Sequence, residues 1–229
     1  MAKKEKESLR ADAYDQILEA IIFGDLSPGS RTDEKMLVRR FGSGLASVRD
    51  ALFRLSLEGL IMRQPRIGTQ VPELGLTALH NVFEARTMIE GGCAALVAER
   101  ATAQDIAAMR SAFTDYEQAI EQRDFRSLVQ MDRKFHRAIA AATQNTELER
   151  QIIQLHNISS RFWYFGIRRL DANAVRADIQ GHQRVIDAIA KRDGPAATRE
   201  VRAVLGHFPE DVRLFLAGSL TLTEEHVNG

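Results

Sequence analysis

Asp132 and His136 stand four residues apart in a segment where Phe125, Leu128, Val129, Phe135 and Ile139 recur at helical spacing. Both side chains therefore project from the inward face of one helix. A carboxylate on such a face requires a partner, and a cation is one. Two further imidazoles interrupt apolar stripes: His182 among Ile179, Val185, Ile186 and Ile189, and His207 among Val204, Leu205 and Phe208. One Asp and three His from three helices form a donor set suited to a divalent cation. Imidazole favours zinc, nickel, copper or iron, and the carboxylate widens the range toward manganese. The plainer reading makes each imidazole a hydrogen-bonded core residue, and Asp/His pairs at i, i+4 also arise by chance. The remaining histidines fit less well: His80 is near a helix start, His156 lacks an Asp partner at that spacing, and His226 is in the tail.

Arg86 lies on the stripe Leu79, Val82, Phe83, Ile89, Cys93, where an apolar residue is expected. A buried guanidinium needs an anion. That anion is either an internal carboxylate, such as Glu90 one turn on, or the carboxylate of a bound effector. Arg161, beside Phe162-Trp163-Tyr164, is a weaker candidate for the effector role, and the aromatic run itself reads as core or dimer surface. A second chemistry sits near the N-terminus. Arg31, Lys35, Arg39, Arg49, Arg54, Arg63 and Arg66 are spread over three short helical segments and a hairpin. Guanidinium groups there suit bidentate contact with phosphates and guanine edges. The alternative is a solvated face, since acids are nearly as numerous.

The elements that must position these residues follow from periodicity and punctuation. A helix is expected from Leu9 to Phe23, closed by Gly24, with a turn at Leu26-Ser-Pro-Gly-Ser30. Asp33 can cap a short helix through Arg40, and a third helix should run from Leu45 to Glu58 before Gly59. Leu60–Arg63 and Thr69–Val71 read as a β-hairpin around Gln64-Pro-Arg-Ile-Gly68, which puts Arg66 at the tip. After residue 75 glycine and proline become sparse. Helical patterns then cover roughly 76–100, 103–122, 124–142, 146–168, 171–192 and 195–217, with Asn145 and Asp171 as natural N-caps.

The expected fold is mostly α: an N-terminal winged helix-turn-helix in residues 1–74, and a C-terminal all-α bundle of six to seven helices in residues 75–219. Residues 220–229 form a tail. Bulk composition narrows the function classes. Lys+Arg and Asp+Glu both number 31 in 229 residues, so any nucleic-acid surface must concentrate its basic residues locally. The single cysteine, Cys93, excludes an internal disulfide and a multi-cysteine zinc site. No run of about 18 apolar residues and no signal peptide stand out, so the protein is expected in the cytoplasm with no membrane partner. A hydrolase using the metal to activate water is the enzyme alternative, but no inward general base stands out.

Between residues 24 and 71 the run Gly24-Asp-Leu-Ser-Pro-Gly-Ser30, Glu34-Lys-Met-Leu37, Phe41-Gly42, Val48-Arg-Asp-Ala-Leu52, Leu55-Ser-Leu-Glu-Gly-Leu-Ile61 and Gly68-Thr-Gln-Val71 resembles the DNA-binding domain of the GntR superfamily. The resemblance implies that Lys35, Arg49 and the wing around Gly68 touch an operator. The candidate DNA-binding set is Arg31, Lys35, Ser47, Arg49, Arg54, Arg66 and Gly68. Where that family usually carries a Ser-Arg-Thr-Pro-like run with a base-reading Arg, this chain has Gly44-Leu-Ala-Ser47. Leu45 cannot donate a hydrogen bond, and apolar contact with a thymine methyl is the expected substitute.

Met131-Asp-Arg-Lys-Phe-His-Arg-Ala-Ile-Ala140, followed by Asn145 and Leu148, resembles the FCD ligand-sensing domain of the FadR-like branch, as do Gly181-His-Gln-Arg-Val-Ile-Asp-Ala-Ile189 and His207. That resemblance implies a metal site at Asp132, His136, His182 and His207, holding zinc or nickel, and a small carboxylate effector for which Arg86 and Arg161 are candidates. It also implies a ligand-responsive regulator, expected to be a repressor, acting as a homodimer on double-stranded operator DNA.

Overall fold

In a computed structural model of the protein, residues 13–64 and 68–206 are described. The chain divides into two compact units between Leu74 and Gly75.

In the first unit, helix α1 covers 13–22 and buries Ala13, Ile17, Leu18, Ile21 and Ile22. Strand β1 (Arg31–Thr32) leads to α2 (Glu34–Phe41), α3 (Leu45–Leu57), β2 (Met62–Gln64) and β3 (Gly68–Gln70). Asp33 caps α2 by accepting from the Met36 amide at 2.7 Å. Gly42 ends the helix at φ 65°, a left-handed conformation that glycine adopts without Cβ strain. Gly44 caps α3 with no side-chain hydrogen bond, so that helix start rests on packing of Val48, Leu52 and Leu55 into the core. The three-stranded antiparallel sheet has the order β1-β3-β2, with Arg31 and Met62 both opposite Gln70 and Gln64 opposite Gly68. The β2–β3 hairpin was legible in the sequence. β1 was not, because two residues carry no readable alternation.

In the second unit α4 (Leu76–Arg100), α5 (Ala103–Ser111), α6 (Tyr116–Glu121), α7 (Phe125–Ala141), α8 (Thr146–Ile167) and α9 (Ala172–Ala190) are followed by α10 over 194–206. α7 packs on α8 and α5, and α4 packs on α8 and α9. The expected single helix over 103–122 is instead two, broken by a turn at 112–115. Local bonds compete with the helix there: the Ser111 hydroxyl donates to the Ala108 carbonyl and the Thr114 hydroxyl to the Ser111 carbonyl. The break turns Phe113 inward, where it is buried. Asn145 caps α8 through the Glu147 and Leu148 amides, and Asp171 caps α9 through the Ala174 amide. Cys93 is a free, buried thiol packed with Ala140 and Ile152.

Candidate metal and effector site

The helical unit gathers titratable side chains in its interior. On α7, whose start is fixed by Asp124 accepting from the Ser127 amide at 3.0 Å, Asp132 and His136 both face inward and are buried. His136 Nε2 lies 3.5 Å from Asp132 Oδ1, and His182 Nε2 on α9 reaches the same oxygen at 3.5 Å. The other carboxylate oxygen, Oδ2, is 3.4 Å from His156 Nε2 on α8. The His136 and His156 rings stack with centroids 4.1 Å apart. Asp132, His136 and His156 offer donor atoms that all lie within 4.8 Å of one another.

Two of the imidazoles are gripped from behind. His136 Nδ1 is 3.1 Å from Glu90 Oε2 on α4. His182 Nδ1 is 3.0 Å from the Asp178 carbonyl oxygen and 3.6 Å from Asp178 Oδ2. Carboxylate or carbonyl partners on the outer nitrogen orient a metal-binding imidazole and fix its tautomer. His156 has no such support: its Nδ1 is buried without a hydrogen-bond partner among the described residues. Phe135 and Phe113 wall the site, with Phe113 5.4 Å from the His182 ring and Phe135 4.9 Å from it.

Arg86 is buried on α4, where its Nε donates to Glu90 Oε1 at 2.6 Å and its Nη1 to the Ser159 hydroxyl at 3.0 Å. Its Nη2 lies 3.2 Å from His136 Nε2. The internal pair with Glu90 that the sequence allowed is thus formed, and Arg86 also lines the cavity beside the donors. Arg161 is fully buried on α8.

The electrostatics are those of a tightly balanced cluster. Burial alone would raise the Glu90 carboxyl, but the charges of Arg86 and His136 and their hydrogen bonds bring it down to about 2. Burial likewise acts to raise Asp132, and His136, His182 and Arg86 together hold it below the usual carboxylate range. His136 is pulled down by burial, yet Glu90 and Asp132 raise it above the ordinary imidazole value. His156 goes the opposite way: burial and then the neighbouring His136, Arg86 and Arg133 charges push it well below that value. A neutral His156 leaves one ring nitrogen with a free lone pair.

Beside these groups is a cavity with roughly 330 Å³ of empty space, part of it open to solvent, lined among others by Phe83, Trp163, Val204 and Leu205. Each Asp132–imidazole separation matches the distance between two ligands of one transition metal ion. Ligands about 2.0–2.1 Å from a shared tetrahedral centre stand roughly 3.3–3.4 Å apart, and the observed separations are 3.4 to 3.5 Å. Of the four metal ligands expected from sequence, the fold brings Asp132, His136 and His182 together, and His207 lies outside the described residues. Sequence reasoning missed His156 and Asp178. His156 shares the inward stripe of α8 with Ile152, Ser159 and Ser160, but its carboxylate comes from a different helix, which spacing along one helix cannot reveal.

In the first unit, Arg31, Lys35, Arg49 and Arg54 are exposed, and Gly68 opens β3 at φ 97° with open space around it. Ser47 is half-buried near the start of α3. Arg49 Nε donates to Glu34 Oε2 at 2.7 Å, tying α3 to α2. The Arg54 guanidinium sits 4.0 Å over the Tyr14 ring, and the Tyr14 hydroxyl donates to Glu58 at 2.6 Å. Leu45, the first residue of α3, is 43% exposed. Arg66 lies outside the described residues.

Comparison with known proteins agrees with both units. Residues 9–71 match "Bacterial regulatory proteins, gntR family", and residues 81–207 match the FCD domain. The chain is 22% identical over 202 residues to the uncharacterized HTH-type transcriptional regulator YdhC of Bacillus subtilis (86% of this chain, 87% of YdhC). It is 25% identical over 191 residues to the HTH-type transcriptional regulator McbR of Escherichia coli (83% of this chain, 86% of McbR). The solved structure of Escherichia coli McbR/YncC superposes with a TM-score of 0.80 at 22% identity, covering 90% of this chain and 97% of that one. A GntR transcriptional regulator from Rhodococcus sp. RHA1 superposes with a TM-score of 0.72 at 18% identity, again covering 90% and 97%.

Proposed function

Since the chain belongs to the gntR family of bacterial regulatory proteins and carries an FCD domain, we propose that it is a metabolite-responsive repressor whose FCD domain holds a divalent transition metal and a small carboxylate. It is a DNA-binding transcriptional regulator. Among the described residues no helix is long and apolar enough to cross a membrane, and the proposed site of action is the cytoplasm.

The observation that carries the proposal is that buried Asp132, His136 and His182 line one cavity together with Arg86 and Ser159, with buried His156 against the other oxygen of Asp132. Imidazole and carboxylate together suit zinc or nickel. The metal would supply a Lewis-acidic centre for a carboxylate oxygen. The chain's own residues would complete the pocket: Arg86 offers a guanidinium, while Phe83, Trp163 and Val204 offer an apolar wall for the rest of a small organic acid.

On the DNA side, α2 and α3 form the helix-turn-helix, with α3 laid in the major groove and Lys35, Arg49 and the wing at Gly68 on phosphates. In a homodimer two such units would span paired half-sites. An effector that binds one arrangement of the FCD domain better than another shifts the dimer on or off the operator. One observation favours a second reading, in which the metal is structural and no effector binds: Arg86 is already charge-balanced by Glu90.

Fluorescence anisotropy separates the two. The full chain, loaded with zinc, is titrated onto DNA from upstream of its own coding region and onto random DNA, with and without a panel of small organic acids. Preferential binding that one acid weakens tenfold or more is the expected result. No preference for its own upstream DNA contradicts the regulatory proposal, and preference insensitive to every acid favours the structural-metal reading.

A further inference from the structure

Arg54 stands in the sequence as one member of a basic set in which acids are nearly as numerous. We propose that Arg54 is a phosphate contact on the flank of α3 that faces α1, and that Tyr14 on α1 holds it ready. Tyr14 does so by placing its ring beneath the guanidinium and by occupying Glu58, the carboxylate that would otherwise capture it. The inference rests on the reading that α3 lies in the major groove.

The charges come first. Asp50 stands four residues before Arg54 and Glu58 four after it, the spacing at which opposite charges pair along a helix. Among the described residues Arg54 forms neither pair, and its guanidinium lies 4.0 Å over the Tyr14 ring instead. Glu58 is engaged elsewhere, accepting from the Tyr14 hydroxyl at 2.6 Å. Burial and then that hydrogen bond raise the Tyr14 hydroxyl above its ordinary value, so it stays a donor throughout the neutral range.

The donors come second. A guanidinium over a ring face keeps its five N–H groups at its edge, free for an acceptor. Arg54 is exposed, so those groups face solvent. The ring also fixes the guanidinium before any anion arrives, which reduces the side-chain freedom lost when a phosphate is gripped by two N–H groups at once.

Position along α3 supplies the third point. Arg54 lies nine residues beyond Leu45, the first residue of the helix, a rise of about 14 Å. The major groove is about 12 Å wide, so a helix with its first turn at the base edges carries Arg54 to the bordering strand. Arg49 and Arg54 are five residues apart, about 140° around the helix axis. Arg49 is tied to Glu34 of α2 at 2.7 Å, whereas Arg54 rests on α1. A helix seated in a groove has a phosphate strand along each flank, and each flank of α3 carries one arginine.

The test uses the full chain in fluorescence anisotropy on a labelled random-sequence duplex over a range of KCl concentrations, with far-UV circular dichroism to confirm that each variant is folded. Arg54→Gln should weaken binding about five- to tenfold near about 0.1 M salt and lower the slope of log K against log salt by about 1, while Arg54→Lys keeps the wild-type slope. Tyr14→Phe keeps the ring but releases Glu58. It should weaken binding about twofold, the worth of an i, i+4 ion pair, and have no effect in the Glu58→Gln background. An unchanged slope in Arg54→Gln overturns the phosphate contact. Equal loss, or no loss, from Tyr14→Phe in both backgrounds overturns the positioning role of Tyr14. Wild-type binding that does not depend on salt contradicts the groove reading itself.

Discussion

Glu90 Oε2 on α4 lies 3.1 Å from His136 Nδ1 on α7 while the same carboxyl group takes the Nε–H of Arg86 at 2.6 Å. One buried carboxylate thus orients an imidazole of the donor cluster and neutralises the guanidinium that lines the cavity. It does so from α4, the helix that begins directly after the residue 71–75 connection to the DNA-binding unit.

Replacing Glu90 by Gln should therefore have two separable effects. Outer-shell partners of ligating imidazoles are worth about 10–100-fold in metal affinity, so Co(II) or Zn(II) binding should weaken by that range. Removing the charge also strands a buried Arg86, which should cost about 3–5 kcal/mol of stability. Chelator-treated thermal unfolding reads the second effect and metal titration the first. A variant with unaltered metal affinity and a lowered Tm would show that Glu90 serves Arg86 alone.

In metal-free protein the two stacked imidazoles pull stability in opposite directions with pH. His136 has a raised folded pKa, so its contribution is present below the unfolded value of 6.5 and is lost as pH rises through the raised one. His156 has a lowered folded pKa, so its contribution is present above 6.5 and is lost as pH falls below it, because the unfolded chain then takes up a proton that the fold excludes. Glu90 and Asp132, both held low, contribute above the ordinary carboxylate range and lose that contribution only in stronger acid. Chelated His156→Gln should consequently lose less Tm than wild type between about pH 7 and pH 5. An equal or steeper acid loss in the variant would contradict the burial of a neutral His156.

Much of this was readable beforehand, and the reasons differ by element. Asp33, Asn145 and Asp171 cap helices where their side chains predicted, because capping is local chemistry. The pairing of Asp132 with His136 was visible for the same reason: both stand on one helix, one turn apart. His156 escaped notice because its partner Asp132 arrives through packing of α7 against α8, whereas Asp178 stands one turn before His182 on α9 and was overlooked although that spacing is legible in the sequence. The split of 103–122 was hidden because helical periodicity continues through it, and the break comes from the Ser111 and Thr114 hydroxyls and the inward turn of Phe113.

Gly181 precedes His182 and lies where α10 crosses close to α9; a Cβ there would fall 2.7 Å from Val204 Cγ2. Gly181→Ala should push the helices apart or force Val204 to rotate, at a cost of about 1–3 kcal/mol. Because Val204 also lines the cavity, metal affinity should fall with stability. Calorimetry and metal titration on the same sample check this, and undiminished stability would mean that α10 yields without strain.

On the DNA side, Lys35 and Leu45 are expected to act differently. Lys35→Ala should weaken binding to all sequences and lower the salt slope of log K by about 1, as loss of one phosphate contact does. Leu45→Ala should leave the slope unchanged and relax base preference. If Leu45 packs on a thymine methyl, replacing the contacted dT by deoxyuridine will weaken wild type and leave Leu45→Ala indifferent. Equal sensitivity of both proteins to that replacement would place Leu45 off the base edge.

The most direct test of the metal-dependent sensing proposal is the metal content of the full chain, purified without added metal or chelator and measured by mass spectrometry beside His136→Ala. The prediction is about one transition-metal ion per chain in wild type, lost in the variant. Metal-free wild-type protein that still discriminates its own upstream DNA would contradict it, leaving a DNA-binding regulator whose buried Asp132 and histidines serve the core alone.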